Sequence, residues 1–382
     1  MKKRKYQICS NCIMDTSDYQ IVFNSEGKCD HCRNFLDNLS ETWQDSIHFK
    51  SISKLKLIAK KIKEEGKNKQ HDCIIGLSGG TDSSYMLHYV VTELDLKPLV
   101  FHVDGGWNSK SAVKNIRKLV SILNLDLQVT VVDWEEMRDL QLAYFKSGLS
   151  NVDTPQDQAF ISVLYHYASK HNIKYILNGG NISTENVVVP LEWMYYTTDM
   201  RLFNDVTNKF LTKPLTSFKT SSAINHKIKL RYLKGIKVIK VLDFIPYIKK
   251  DAVKLLEDKY NFESFQNKHS ESLFTRFYEG YWLPTRFNFD TRRVTFSSQI
   301  LTDQMTREDA LEKIQVPALS HLEVNELYDF VAKKLRIPLK ELQSYQTMEL
   351  KSFSDYKNQA LLYKIASMLF KIFKGDISNT KR

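Results

Sequence analysis

Two groups of residues in this chain have types and spacing suited to chemistry. The first is Ser78-Gly79-Gly80-Thr81-Asp82-Ser83-Ser84, which follows the apolar run Ile74–Leu77 and leads into an amphipathic segment. Small residues let backbone N–H groups approach anionic oxygens, and a helix that starts here points its positive end at the same place. Ser78, Thr81, Ser83 and Ser84 add hydroxyls, and Asp82 offers a carboxylate to hold Mg²⁺ against phosphates. These features predict a pyrophosphate clamp. The loop lacks the lysine of Gly-x-x-x-x-Gly-Lys-Ser/Thr, and glycines 76, 79 and 80 do not fit Gly-x-Gly-x-x-Gly.

The second group is Cys9-x-x-Cys12, sixteen residues, then Cys29-x-x-Cys32, the spacing of a four-thiolate zinc ribbon. Each pair puts two thiolates on one side of a knuckle, and Gly27 supplies the turn before the second. Four ligands fill the coordination sphere, so the Zn²⁺ is expected to be structural. His31 lies between Cys29 and Cys32 and reads as a bystander. Cys73 sits in an apolar run as a buried small hydrophobe, which leaves no cysteine for glutamine hydrolysis.

The clamp residues resemble the PP-loop ATP pyrophosphatases, in which the loop grips the leaving pyrophosphate while a substrate oxygen takes the AMP. The elements around it must then be strands that end at the loop and helices that leave it. Asp72–Leu77, Leu99–Val103, Leu127–Val132, Lys174–Leu177 and Ile236–Leu242 read as strands, and helical stripes fall between them. Thr154-Pro155-Gln156-Asp157 reads as a helix start with threonine as the cap. The expectation is an α/β fold: a mostly parallel sheet flanked by helices, an N-terminal zinc ribbon and a helical C-terminal region. The segments are 1–50, 51–250 and 251–382. Ligands bind beyond the carboxyl ends of such strands, which makes Asp104 a candidate for nucleotide or metal. The turn Asn178-Gly179-Gly180-Asn181 becomes a candidate lining of the same site.

With 382 residues, 42% hydrophobic and 26% charged, the chain has ordinary globular composition. No apolar run reaches the roughly 18 residues of a membrane span, and Met1–Lys5 leads into no apolar signal segment, so the cytoplasm is expected. A net charge of +11 suits anionic partners such as ATP, nucleotide sugars or RNA. The lysines at 54, 56, 60, 61, 63, 67 and 69 are most simply the wet face of a helix carrying Leu55, Ile58, Ala59 and Ile62. Charge alone supplies only nonspecific attraction, and a nucleic-acid role is not the expectation.

After residue 251 the strand rhythm stops. Lys268-His269-Ser270-Glu271-Ser272, Thr275-Arg276-Phe277-Tyr278 and Asp290-x-Arg292-Arg293 mix arginines with aromatics, a pattern that clamps phosphates or carboxylates. Together with Cys9-Ser-Asn-Cys12-Ile-Met-Asp15-Thr16, Cys29-Asp-His-Cys32 and Ser78–Ser83, these segments resemble the N-acetyl sugar amidotransferases of bacterial surface-polysaccharide and nonulosonic acid biosynthesis. The resemblance covers nearly the whole chain, although the last 80 residues are not matched motif by motif.

It implies conversion of an acetamido sugar, nucleotide-linked in the expected case, into an acetamidino sugar with ATP, Mg²⁺ and ammonia. Asp82, Lys268, His269 and Glu271 are its candidate catalytic residues. Ser78, Gly79, Gly80, Thr81, Asp82, Ser83, Ser84, Asp104, Gly179 and Gly180 are candidates for ATP, and Asn181, Arg276, Arg292 and Arg293 for the sugar. Ammonia would come from solution or from separate glutaminase and channel subunits resembling imidazole glycerol phosphate synthase. The competing reading is a PP-loop tRNA-modifying enzyme, a thiolase or lysidine-type synthetase.

Overall fold

The structure is a computed structural model that describes residues 4–224, 230–231 and 233–374, so Met1–Lys3 of the basic start lie outside the described residues. Five strands form one sheet: β1 (Cys73–Gly76), β2 (Pro98–Asp104), β3 (Leu127–Val131), β4 (Tyr175–Asn178) and β5 (Lys237–Lys240). Their order is β3-β2-β1-β4-β5, and every neighbouring pair is parallel. Each lies within two residues of its expected bounds. The chain steps outward from β1 to β3 and then returns to the other side of β1, so the topological switch lies between β1 and β4.

Both faces of the sheet are covered, which is why its central strands are continuous apolar runs. Cys73 and Ile75 of β1 point to one face, where Leu55, Leu87, Leu119 and Leu256 pack from four separate helices. Ile74 points to the other, against Phe101, Val163 and Met137. The lysine-rich helix Ile52–Gly66 buries Leu55, Ala59 and Ile62, as its stripe predicts. Asp153, not Thr154, occupies the N-cap position of the helix Thr154–Lys170 and makes no side-chain cap bond; the Thr154 hydroxyl donates backward to the Asn151 carbonyl (2.9 Å).

The cysteine segment and the C-terminal helices share one core. Cys9, Met14, Ile21 and Cys32 belong to the same buried cluster as Phe274, Trp282, Phe287 and Leu327. Hydrogen bonds reinforce the junction: Arg307 donates to the Cys9 and Cys12 carbonyls (2.8 and 3.1 Å), and Arg293 to the Ile13 carbonyl (2.8 Å). The C-terminal region has a long interrupted helix, α-helical over Leu273–Phe277 and Leu283–Phe287 with a π turn at Tyr278–Trp282 between them. Among the described residues no helix is long and apolar enough to cross a membrane.

Candidate functional site

The clamp forms where β1 ends beside the switch point. After Gly76 the backbone turns through Gly79 at φ +83°, where a Cβ would lie 2.6 Å from the Ala112 carbonyl oxygen; both conformation and contact demand glycine. Gly80 caps the helix Thr81–Thr92, whose free N–H groups face the turn. Ser83 Oγ accepts from the Ser78 N–H (3.3 Å) and Ser78 Oγ from the Gly80 N–H (3.2 Å), which holds the loop curled. Ser84 is fully buried, so the structure withdraws its hydroxyl from the cup.

Asp82 is the centre of an enclosed ionic cluster. Its Oδ1 accepts a hydrogen bond from Tyr247, and its Oδ2 lies 3.1 Å from Lys268 Nζ. Lys268 also contacts Glu185 (2.6 Å) and Thr184 Oγ1 (3.1 Å). Burial acts to raise the Asp82 carboxyl, but Lys268, Lys249 and the Tyr247 hydroxyl outweigh it and hold it below the ordinary carboxylate value. Burial acts to lower Lys268, and Asp82 and Glu185 reverse that and raise it. Lys249 is pushed down by burial.

The segment 268–272 is brought here by a short antiparallel pairing. Ser109 N–H donates to the Glu271 carbonyl and Leu273 N–H to the Trp107 carbonyl, both at 2.8 Å. The turn that makes this pairing is braced by Asp104, whose Oδ1 accepts from Gly106 N–H (2.8 Å) and Asn108 Nδ2 (3.0 Å). Glu271 consequently reaches back over the clamp. Ser78 Oγ donates to Glu271 Oε1 (3.0 Å), and a Cβ on Gly80 would lie 2.7 Å from that oxygen. A carboxylate therefore sits where an anionic ligand of the loop belongs.

Three cavities meet at residues 268–279. The clamp cleft, about 160 Å³, is lined by Ser78, Gly80–Ser83, Gly179, Glu185, Lys268 and Glu271. A cavity of about 840 Å³ opens beyond Lys268 and carries Lys249, Lys250 and Lys313 with Phe265 and Phe296. A pocket of about 510 Å³ opens on the other side, over the ends of β1 and β2, walled by Phe101, Phe160 and Leu164 and by Asp153 and Glu279. Burial, with Asp157 beside it, raises the Asp153 carboxyl to about 7. His269 lines both cleft and pocket with half its side chain open to them, and its Nδ1 lies 3.1 Å from Glu279 Oε1. Burial acts against its charge, but Glu279 wins and the ring is pushed up to about 9.

Of the expected site residues, Ser78, Gly80, Thr81, Asp82, Ser83, Gly179, Lys268, His269 and Glu271 come together at the cleft, and Arg276 and Arg292 line the larger cavity. Both arginines are engaged already: Arg276 with Glu323, Arg292 with Asp290 (2.6 Å) and the Val316 carbonyl (2.7 Å). Others lie elsewhere. Arg293 is bound to Asp15 (3.1 Å) and Ile13 in the cysteine segment, so its charge serves that junction. Asn181 is buried as a helix cap, accepting from Thr184 N–H (2.8 Å), and Gly180 N–H closes a turn on Asn178 Oδ1 (2.6 Å). Asp104 braces the pairing turn. Tyr247 and Lys249 were not singled out from the sequence, yet they follow β5, where the rule of strand carboxyl ends places ligands. Glu185, Glu279 and Asp153 carry no local signal.

The four ribbon cysteines converge. One sulfur from each of Cys9, Cys12, Cys29 and Cys32 lies within 4.8 Å of the others, and all four are buried. The closest pairs are 3.6 to 3.7 Å apart. A tetrahedron with Zn–S of about 2.3 Å has edges of about 3.8 Å, so the set fits a single ion. A four-iron cluster would hold its ligands further apart. Backbone N–H groups of Asn11, Cys12 and Cys29 point at Cys9 Sγ (3.4, 3.4 and 3.2 Å). His31 is not a ligand here; its Nε2 lies 2.8 Å from Asp18.

Residues 271–369 match the family model of the LPS biosynthesis protein WbpG-like C-terminal domain. The match begins at Glu271, so the matched residues include Glu271, Arg276 and Glu279 of the site, while Lys268 and His269 lie just before it. Three solved structures are similar to parts of the chain. The NH3-dependent NAD synthetase from Campylobacter jejuni is 17% identical over 56% of this chain and 93% of its own, with a TM-score of 0.28. The NMN synthetase from Francisella tularensis is 14% identical over 60% and 98%, with a TM-score of 0.26. The U34-tRNA thiolase NcsA from Methanococcus maripaludis is 14% identical over 90% of each, with a TM-score of 0.30. No curated protein matches the sequence significantly.

Proposed function

We propose that this chain is an ATP-dependent, AMP-forming amidotransferase of surface-glycan biosynthesis that converts the acetamido group of a sugar into an acetamidino group. The observation that carries this reading is the junction itself: a PP-loop clamp opens past Lys268–Glu271 into a cation-lined cavity large enough for a second substrate, in a chain whose residues 271–369 match the WbpG-like model. The clamp binds the β and γ phosphates through its N–H groups and hydroxyls, and the β1–β2 pocket takes the nucleoside against Phe101, Phe160 and Leu164.

An amide carbonyl is a poor electrophile because its nitrogen donates into it. Transfer of AMP to the amide oxygen gives an imidate ester with a good leaving group, which ammonia attacks at carbon. The first step builds charge on pyrophosphate, and the helix N-terminus and Lys268 are placed to stabilise it. Both Asp82 oxygens are already engaged, by Tyr247 and Lys268, so Mg²⁺ would arrive on the nucleotide's phosphates and not on Asp82. Lys249, Lys250 and Lys313 suit an anionic, nucleotide-linked sugar in the larger cavity. The structural role of the four cysteines suits Zn²⁺.

Cys73 is buried in β1, and every cysteine of the ribbon lies in the metal cluster, so no thiol faces the cleft. That disfavours both an internal glutaminase and a thiolase that carries sulfur on cysteine, and it favours ammonia delivered from solution or by partner subunits. The test supplies ATP, Mg²⁺ and ammonium with a panel of free and nucleotide-linked acetamido sugars. A product lighter by about one mass unit, the exchange of O for NH, supports the reading. Turnover of a tRNA substrate and of no sugar would reject it.

A further inference from the structure

Glu279 is shared by the two larger cavities, lining both the 840 Å³ cavity and the 510 Å³ pocket. It stands in the π turn Tyr278–Trp282, an interruption of helical geometry that recurs at functional sites. Its carboxylate is anchored at both oxygens: Oε2 accepts from Thr291 Oγ1 (3.2 Å), and Oε1 faces His269 Nδ1 at 3.1 Å. His269 itself has a left-handed backbone, φ 60°, a conformation that a non-glycine residue keeps only when its surroundings impose it. Its Nε2 makes no hydrogen bond among the described residues, and the ring lines the cleft and the pocket.

We propose that Glu279 is the positioning residue for His269: it holds the ring through Nδ1 and leaves Nε2–H as the donor presented where the clamp cleft and the 510 Å³ pocket meet. Naming the groups that meet this donor rests on the amidotransferase reading; the positioning does not. The charged groups facing the ring are Glu279 and Glu271, which favour its proton, and Lys268, which opposes it. Asp153 and Asp157 stand deeper in the same pocket. With the proton retained to about pH 9, His269 is cationic at neutral pH. It therefore donates to an oxygen, either the amide oxygen or a phosphate oxygen of the nucleotide, and does not take a proton from the attacking ammonia.

The variant Glu279→Gln keeps the shape and the Thr291 contact but removes the charge. Side-chain ¹⁵N NMR of the full-length protein, with His269 assigned by its loss in His269→Gln, reads the titration without any substrate. The expected result is a fall in the His269 pKa of about one unit or more, with Glu279→Asp restoring most of it. In turnover the alkaline limb of the pH profile should move acidward by the same amount. A ring that titrates within a few tenths of a unit of the wild-type value in Glu279→Gln overturns the proposal. If that variant does not fold, a wild-type His269 titrating near the ordinary 6.5 overturns it and one above pH 8 supports it. Because the titration needs no sugar, its failure is separate from failure to find an amidine product.

Discussion

Replacing Lys268 with methionine leaves the Asp82 carboxylate without the cation that lies 3.1 Å from it, and also frees Glu185, whose side chain is partly open to solvent. Breaking a buried pair by removing one partner costs about 3–5 kcal/mol, because the remaining charge stays desolvated. An exposed pair such as Lys63–Asp95, at 2.8 Å but with side chains 41% and 90% open, contributes little because solvent screens it, so Lys63→Met is the control. For 382 residues, about 2.1 cal/mol/K per residue gives an unfolding entropy of about 0.8 kcal/mol/K, and the expected loss is about 4–6 °C in Tm.

The sign with pH is fixed by Asp82. Its folded pKa is lowered, so the stabilisation it brings is present above the unfolded value of about 3.9 and is lost as pH falls through the folded value. Without Lys268 the largest influence on Asp82 is burial, which raises it. The deficit of Lys268→Met should therefore be greatest near pH 8 and shrink toward pH 5 as the acids take up protons. Thermal and urea unfolding of wild type and both variants at the two pH values decide the matter. A deficit no larger than that of Lys63→Met, or one that does not change with pH, would refute the ionic cluster as described.

Glu271→Gln removes a negative charge from the clamp and should tighten pyrophosphate by about tenfold or more by calorimetry; a charge pair at 4 Å is worth at most about 4 kcal/mol at an effective dielectric of 20. Weaker binding would mean that Glu271 helps to hold the ligand. His269→Ala should form little or no amidine, and normal turnover would remove His269 from the chemistry. Cys29→Ser, or chelation of the wild type, should uncouple the ribbon from the C-terminal helices and lower Tm, since a structural Zn²⁺ contributes on the order of 10 kcal/mol. Metal analysis should find one zinc per chain, and iron with acid-labile sulfide would contradict the single-ion geometry.

The strands, the clamp and the ribbon were legible because each is written locally: an apolar run, a glycine turn, a pair of cysteine knuckles. Which loops share an edge also followed from the strand rule, and Lys268–Glu271 does reach the clamp. Residues whose partners are distant were not legible. Arg293 looks like an anion binder beside Arg292, but the Ile13 carbonyl that takes it is 280 residues away. Asp104 ends a strand as a ligand would, and its carboxylate is spent on its own turn. Ser84 stands beside Ser83 in sequence, yet the helical rotation turns it into the core. Glu279 gains its place only through the π turn, which no short pattern announces.

The central claim is that the clamp holds the two terminal phosphates of ATP while the bond at the α phosphorus breaks. Phosphorus NMR of a reaction containing the chain, ATP, Mg²⁺, ammonium and an acetamido sugar that is turned over tests it most directly. The prediction is AMP and pyrophosphate accumulating in equal amounts with the sugar product. ADP and orthophosphate in their place would contradict it.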